Sequence, residues 1–282
     1  MFSIIGIVVV IGAILGGYLF EHGNLKVLIQ PAELIIIGGA AVGTLLIANP
    51  LPVITGLIKA VLGVLGSDKY SKKRYLATLK MLNELFKKAR KGGINSLEAD
   101  VEEPHSSELF KNYPDIVKDH HAVDFICDSI RTGMSGTVSH YDLDQMMELD
   151  LEVHHKEVSR PVNALTTVSD ALPGLGIVAA VLGIVITMGS LGGPPEEIGK
   201  KVAAALVGTF LGILLCYGFL SPLAASITRS IDSESQYYHS LRTGLIAFFR
   251  GAAPILAVEF SRRSIPAAVR PSFREMEESF KA

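Results

Sequence analysis

The chain of 282 residues is 49% hydrophobic and 19% charged. It is too charged to lie wholly in lipid and more apolar than most soluble proteins. Its formal net charge of -2 argues against a nucleic-acid or other polyanionic partner. A membrane part joined to a polar part is therefore predicted.

Four stretches contain no Asp, Glu, Lys or Arg, and each predicts a transmembrane helix. The stretches are Met1 to Phe20, Leu34 to Ile58, Ala171 to Pro195 and Val202 to Thr228. Each has about 20 residues or more, enough to cross a hydrocarbon core of about 30 Å at about 1.5 Å per residue. Pro50 and Pro52 are expected to end the second helix, and the Gly-Gly-Pro-Pro sequence at 192–195 to end the third.

Positive charges are frequent after the second stretch and scarce in the two short connections between paired helices. Those after the second stretch are Lys59, Lys69, Lys72, Lys73 and Arg74. The short connections hold only Lys26, Lys200 and Lys201. Because flanking Lys and Arg resist translocation, both termini and the long middle segment are predicted to be cytoplasmic.

The middle segment, residues 60 to 165, shows helical periodicity. From Lys72 to Lys91 apolar residues recur every three or four positions, and a Gly-Gly pair at 92–93 is expected to end this helix. Asn95 is predicted to cap a second helix, with Glu98 reaching back in a capping box. Two further helices are expected to start at Pro114 and after Ser139. A small helical domain is predicted.

Residues that could perform chemistry do not form a recognisable site in the sequence. Six histidines lie in the middle segment, but no His-x-x-x-His pair occurs, and the two cysteines, Cys127 and Cys216, lie in different regions. There is also no phosphate-binding loop and no Gly-x-Ser-x-Gly elbow. We therefore expect no enzyme activity, no metal and no cofactor.

Prolines and glycines interrupt the apolar stretches. Pro173 and Pro222 each remove a backbone hydrogen bond near the predicted cytoplasmic ends of the third and fourth helices. Two hinges at matching depth indicate concerted motion, and a fixed bend is the alternative. Small residues at helical spacing predict close helix packing. These pairs are Gly12 with Gly16, Gly39 with Gly43, and Gly208 with Gly212.

Ionisable residues are missing from the interior of the four stretches. Only Glu33 and Asp170 occur nearby, and both lie at predicted helix ends. A protein that passes ions through lipid usually needs an ionisable group at membrane depth. Either the chain moves no ions, or a partner supplies the carboxylate and this chain supplies a polar, hinged wall around it.

Several long motifs, in order along nearly the whole chain, resemble the MotA family, the larger stator subunits of the bacterial flagellar motor. They are QPAELIIIGGA (30–40), SDALPGLGIVAAVLGIV (169–185), VGTFLGILLCYGFLSPLA (207–224), AVEFSRR (257–263), RPSF (270–273) and the spacing of Arg90, Gly93, Leu97 and Glu98.

The resemblance implies an all-α polytopic protein of the bacterial inner membrane. Residues 1–52 would form transmembrane helices 1 and 2, 53–165 a rotor-facing cytoplasmic domain, 166–228 transmembrane helices 3 and 4 as the channel wall, and 229–282 a cytoplasmic helical tail. It further implies a homopentamer around two copies of MotB, whose single helix carries the ion-binding aspartate. Ion flow would turn this ring and drive the rotor.

The resemblance also implies roles for particular residues. Thr209 would line the ion path, and Pro173 and Pro222 would couple the ion step to movement of the cytoplasmic domain. Sodium-type relatives commonly carry threonine at the position of Ala180. The missing hydroxyl there makes H⁺ the expected ion.

Three charged residues are expected to face the rotor. Arg90 and Glu98 would contact the rotor protein FliG, and Asp150 matches an acidic family position. For Glu98, helix capping is the alternative role.

Two rival functions are kept open. One is an ExbB- or TolQ-type energiser of an envelope transport complex, which shares the ion-driven ring but usually has three spans. The other is a passive membrane scaffold, in which the glycines and prolines serve packing alone. Four spans and the motif from Arg90 to Glu98 argue for the stator.

Overall fold

A computed structural model describes residues 2–64, 66, 69–189 and 192–281 of the chain. These residues form helices and connecting turns, and no β-strand occurs within the described ranges, so the all-α prediction is confirmed. The α-helices are α1 Phe2–Phe20, α2 Leu25–Leu28, α3 Pro31–Ala48, α4 Leu51–Val64, α5 Lys72–Gly92, α6 Glu98–Glu102, α7 Glu108–Lys111, α8 Pro114–Val117, α9 His120–Met134, α10 His140–Met188, α11 Pro195–Ile213, α12 Ser221–Phe249, α13 Pro254–Ser264 and α14 Phe273–Lys281.

The chain divides into two compact units. The apolar unit comprises Met1–Ser67 and Val158–Ser230, and the polar unit comprises Asp68–Glu157 and Ile231–Ala282. Each unit is thus built from two separate parts of the sequence. The helices α10 and α12 each contain residues of both units.

Four segments of the described chain are long and apolar enough to cross a membrane: Ser3–Phe20, Leu25–Ala48, His140–Met188 and Pro195–Phe249. The prediction of four spans is therefore confirmed. The helix α3 ends at Ala48, just before Pro50, because prolines cannot continue the helical hydrogen bonding. The helix α10 ends at Met188, before the Gly-Gly-Pro-Pro sequence at 192–195.

The third span and the last helix of the middle segment, expected as separate elements, form one helix. The helix α10 has 49 residues and contains Pro161 and Pro173. A proline removes a single helical donor, and the bonds of the neighbouring residues keep the helix continuous. The predicted start of this helix after Ser139 is correct, since the Ser139 hydroxyl accepts a hydrogen bond of 3.1 Å from the Asp142 N–H.

A π-helical segment, Leu214–Leu220, lies between α11 and α12. A wider turn of this kind inserts one extra residue into a helix and occurs frequently at functional sites. The sequence LLCYGFL of this segment, which contains no proline, does not indicate it. The fourth span is consequently composed of α11, this π-helical segment and the first part of α12.

The polar unit is built around α5. Its periodic apolar residues are buried as predicted, among them Leu79, Leu82 and Phe86, and the Phe86 ring stacks on Phe248 of α12 at a centroid distance of 4.4 Å. The helix ends where Gly93 adopts a φ of +81°, a left-handed conformation that glycine tolerates best.

The capping box predicted at Asn95 is wrong. A short 3₁₀ helix, Ile94–Leu97, follows Gly93 directly and carries no side-chain cap hydrogen bond. The Ser96 hydroxyl instead donates to the Gly93 carbonyl oxygen at 2.7 Å. The tight turn after Gly93 has therefore already begun when the chain reaches Asn95, so this residue lies inside the turn and not at its start.

Candidate functional site

In the apolar unit, α10 and α11 approach each other backbone to backbone. A Cβ placed on Gly212 would lie 2.5 Å from the Leu172 carbonyl oxygen, and one on Gly176 would lie 2.8 Å from the Gly208 carbonyl oxygen. Real Cβ atoms do not approach other atoms this closely. Of the three predicted glycine pairs, the pair Gly208 and Gly212 therefore serves packing within the chain.

The other two glycine pairs lie on open surfaces of the described chain. A Cβ on Gly12, Gly16, Gly39 or Gly43 would meet nothing within 4 Å. Small residues on an exposed membrane helix permit close approach by another helix. Any packing role of these two pairs must therefore involve a partner outside this chain.

The crossing of α10 and α11 also holds a carboxylate that sequence reasoning set aside. Glu33, in the first turn of α3, is only 6% exposed, and its Oε2 atom has no hydrogen-bond partner. A Cβ on Gly208 would lie 2.5 Å from this atom, and one on Gly183 would lie 3.5 Å from Oε1. The two glycines therefore form the surface on which the Glu33 carboxylate rests.

Both predicted ion-path residues lie where α10 and α11 cross. A Cβ on Gly208 would be 3.2 Å from the Ala180 nitrogen, and one on Gly176 would be 3.3 Å from the Thr209 Cα. Ala180 is buried and Thr209 is half-buried. The structure thus brings Glu33 of α3 and Ala180 of α10 to Gly208 of α11, and Thr209, the next residue of α11, packs its Cα against Gly176. The roles of Ala180 and Thr209 in ion passage remain a prediction.

The surroundings of the Glu33 carboxylate at this crossing are apolar. Transfer of a carboxylate anion from water into an apolar site is strongly unfavourable unless it is neutralised or paired. The carboxylate oxygens lie against the backbone at Gly183 and Gly208, which carries no charge. A proton bound to the carboxylate would remove that penalty.

The sequence predicts the position of Glu33 correctly but not its burial. The residue follows Pro31 by two positions and lies in the first turn of α3, at a helix end as expected. The signal that could have identified it is the occurrence of glycine at both Gly183 and Gly208. Each leaves room for a side chain from another helix.

The predicted coupling residues lie in the same unit. Pro173 is half-buried within α10, and Pro222 is exposed as the second residue of α12, directly after the π-helical segment Leu214–Leu220. Each proline removes one backbone hydrogen bond from a long helix, and Pro222 also follows the π-helical segment closely. Their role in coupling stays a prediction.

The predicted rotor-facing residues are all exposed and belong to the polar unit. Arg90 lies in the last turn of α5, and Glu98 is the first residue of α6, so the two flank the turn that begins at Gly93. Asp150 lies on a different element, α10. The capping alternative for Glu98 fails, because neither the 3₁₀ helix nor α6 has a side-chain cap hydrogen bond.

Two histidines of the polar unit form an aromatic cluster with a tyrosine. The rings of His121 and His154 stack at a centroid distance of 3.7 Å, and both meet the Tyr238 ring edge-on. The pKa of His121 is lowered by burial and then by His154, with Asp150, Glu234 and Asp119 opposing. No group of three or more His, Cys, Asp or Glu placed to hold a metal ion occurs among the residues that the structure describes.

Comparison with known proteins agrees with this architecture. Residues 4–93 match the family described as Motility protein A N-terminal, and residues 119–240 match the MotA/TolQ/ExbB proton channel family. Motility protein A of Escherichia coli strain K12 is 42% identical over 282 residues, which is 100% of this chain and 96% of that protein. Chemotaxis protein LafT of Vibrio parahaemolyticus is 34% identical, covering 98% of this chain and 97% of its own length.

A solved structure of the flagellar MotAB stator complex from Bacillus subtilis shares the fold. It has a TM-score of 0.77 at 22% identity and covers 95% of this chain and 97% of that chain. The N-terminal family match and the full-length relatives distinguish the chain from ExbB- or TolQ-type energisers. The chain belongs to the motility protein A family of flagellar stator subunits, within the MotA/TolQ/ExbB proton channel family.

Proposed function

We propose that the chain is the larger stator subunit of a bacterial flagellar motor, and that protons flowing through its complex with a MotB-type partner turn the rotor. The observation that carries the proposal is the buried Glu33 carboxylate, which lies against Gly208 and Gly183 beside Ala180 where α3, α10 and α11 meet. A site for a small cation thus lies among apolar helices, and the full-length relatives are motility and chemotaxis proteins.

The partner supplies a second carboxylate. Among the acidic residues of the described spans, Asp170 lies near the prolines but is exposed on the isolated chain. Glu33 alone does not make a continuous route for protons. A homopentamer around two MotB copies would place an aspartate of the partner against α10 and α11. One charge that crosses 100 mV provides about 2.3 kcal/mol, which is the energy for each rotational step.

Glu33 changes the expectation that the partner supplies every carboxylate on the ion path. Its burial makes it a binding site that belongs to this chain. In the proposed route a proton visits Glu33 and then the partner aspartate. Ala180 supplies no hydroxyl at the first site, which favours a proton over Na⁺ because Na⁺ needs several oxygen ligands. Thr209 lines the ion path on α11.

The location of the chain and its contacts with the rotor are part of the same proposal. The chain lies in the inner membrane with both termini in the cytoplasm, since the Lys and Arg residues after the second span resist translocation. The polar unit then faces the rotor, and the exposed Arg90 and Glu98 contact FliG. The long helices α10 and α12, which contain residues of both units, transmit the movement.

The experiment that tests this function is an ion-flux measurement in vesicles. The chain is co-expressed with a single-span, aspartate-bearing partner, and proton uptake is followed with a pH-sensitive dye. Flux is expected from the pair and is expected to vanish when the partner aspartate becomes asparagine. Flux from this chain alone would contradict the mechanism, and flux from neither arrangement would favour a passive scaffold.

The choice of ion has its own test. Swimming cells are transferred to medium without sodium while the electrochemical proton gradient is maintained. We expect unchanged motility. Motility that stops under these conditions would show that the ion is Na⁺.

A further inference from the structure

Three small polar side chains meet between the two proline-bearing helices of the apolar unit. The Ser169 and Ser221 hydroxyl oxygens are 2.9 Å apart. The Ser169 hydroxyl donates to the Cys216 sulfur at 3.5 Å, and the Cys216 sulfur lies 3.7 Å from the Ser221 hydroxyl oxygen. The hydroxyl of Ser221 therefore bonds to α10 and not to a carbonyl of its own helix.

The contact joins two places where the backbone has lost hydrogen bonds. Pro173 lies four residues after Ser169, so it cannot donate to the Ser169 carbonyl. Pro222 directly follows Ser221, and the π-helical segment Leu214–Leu220 precedes it. The Ser221 N–H donates to the Cys216 carbonyl, the five-residue spacing of a π-helix. The contact thus links α10 near Pro173 to the fourth span near Pro222.

The contact is buried on the side of Ser169 and half-buried at Ser221. Ser169 and Cys216 are each 1% exposed. The apolar cluster that contains Cys216 also includes Leu172, Val168 and Leu220. If the Ser169 hydroxyl loses its partner, it is left buried without a hydrogen bond, and this is unfavourable. The hydroxyl pair therefore resists relative movement of the two helices.

We propose that the Ser169–Ser221 hydrogen bond is a latch that holds the backbone at Pro173 and Pro222 in the arrangement that the structure shows. The latch opens when the two helices move and closes when they return. Ser169 and Ser221 are thus positioning residues for the rotational step. The inference rests on the proposed function, because the latch matters only in a complex that rotates.

Hydroxyl deletion gives the first test. A neutral side-chain hydrogen bond contributes about 0.5–1.5 kcal/mol, so Ser169→Ala and Ser221→Ala should each change the dwell time between rotational steps about two- to tenfold. The double variant should match Ser169→Ala, because that change alone already removes the bond between the two hydroxyls. Ser169→Thr, which keeps a hydroxyl, should restore the wild-type dwell time. Additive effects of the two alanine substitutions would overturn the latch.

A reversible cross-link gives the second test and does not depend on dwell times. Ser169→Cys and Ser221→Cys are combined with Cys216→Ala in the full chain, expressed with its partner. Diamide takes two hydrogens from the paired thiols as the disulfide forms. We expect the oxidised complex to stop rotating and conducting, and dithiothreitol to restore both. Each single cysteine variant, treated with diamide, is the matched control.

The outcomes separate the latch from the proposed function. If the disulfide forms and rotation continues at an unchanged speed, the latch is wrong. If no disulfide forms although both thiols react with a maleimide in the complex, the two side chains are not neighbours and the latch is equally wrong. If the wild-type complex itself carries no flux, the proposed function fails.

Discussion

Arg74 of α5 and Asp119, the residue before α9, form a buried ion pair in the polar unit. The distance from Arg74 Nη2 to Asp119 Oδ2 is 2.5 Å, and the two side chains are 8% and 6% exposed. Lys69 approaches the same Oδ2 atom at 2.9 Å, and the Tyr238 hydroxyl donates to Oδ1 at 3.3 Å. One carboxylate thus connects α5, the start of α9 and α12.

Removing the Asp119 carboxylate is expected to destabilise the polar unit. The change Asp119→Ala leaves the Arg74 charge buried without its partner, which typically costs about 3–5 kcal/mol. Urea unfolding followed by protease cleavage within the polar unit measures the loss. Asp115→Ala is the matched control, because the Asp115 side chain is 83% exposed. Equal stability of the two variants would show that the ion pair contributes little.

The same carboxylate predicts a loss of stability in acid. Burial acts to raise the pKa of Asp119, but Lys69 and Arg74 outweigh it, so the folded-state pKa lies below the ordinary value. Its stabilising contribution is therefore present above the unfolded-state pKa of about 3.9 and is lost as pH falls through the folded-state pKa. Stability measured from pH 5 downward should decline less steeply in Asp119→Asn than in the wild type.

His121 predicts a second pH dependence at milder acidity. Because its folded-state pKa is lowered, the unfolded chain binds a proton first, and stability falls as pH drops below the unfolded-state value of about 6.5. His121→Phe keeps a ring against His154 but cannot titrate. We expect this variant to lose less stability than the wild type between pH 7 and pH 5.5. His140→Phe, at an exposed position, should retain the wild-type slope.

Neutralising Glu33 is expected to reduce proton flux without preventing assembly. The change Glu33→Gln keeps the shape of the side chain on Gly208 but removes the group that takes up a proton. Flux per assembled complex should fall at least about tenfold, which is about 1.4 kcal/mol on the barrier. Glu21→Gln, at an exposed position in the connection after α1, is the control. Equal flux in the two variants would exclude Glu33 from the path.

A methyl group on Gly212 should disrupt the crossing of α10 and α11. In Gly212→Ala the new Cβ would overlap the Leu172 carbonyl oxygen and Gly176, and such overpacking typically costs about 1–3 kcal/mol. Thermal stability of the purified chain in detergent is expected to fall. Gly43→Ala, whose Cβ meets nothing within 4 Å, should leave the isolated chain unchanged. A stable Gly212→Ala variant would contradict the close packing.

Charge reversal on the polar unit tests the rotor contact. Cells that carry Arg90→Glu together with Glu98→Lys should swim poorly, and reversing the matching rotor charges should restore swimming. Lys118→Glu, at a position that is 80% exposed, controls for a general change of surface charge. Unchanged motility of the double reversal would remove Arg90 and Glu98 from the proposed contact.

Local patterns determined much of the fold. Charge-free stretches of sufficient length predicted the four spans, and the three-to-four periodicity from Lys72 to Lys91 predicted α5 and its buried face. Gly93 ends that helix as expected, because the conformation it adopts is a property of the residue itself. These features depend on neighbouring residues, so the sequence alone specifies them.

Tertiary packing decided the details of the candidate site. Glu33 lies at a helix end, as predicted, yet it is buried because Gly183 and Gly208, distant in the sequence, leave room for its carboxylate. The Ser169–Ser221 bond and the uncapped turn at Asn95 likewise depend on which segments meet and on how the backbone closes. Periodicity tells which side of a helix is apolar, but it does not tell which polar atom from another helix will rest against that side.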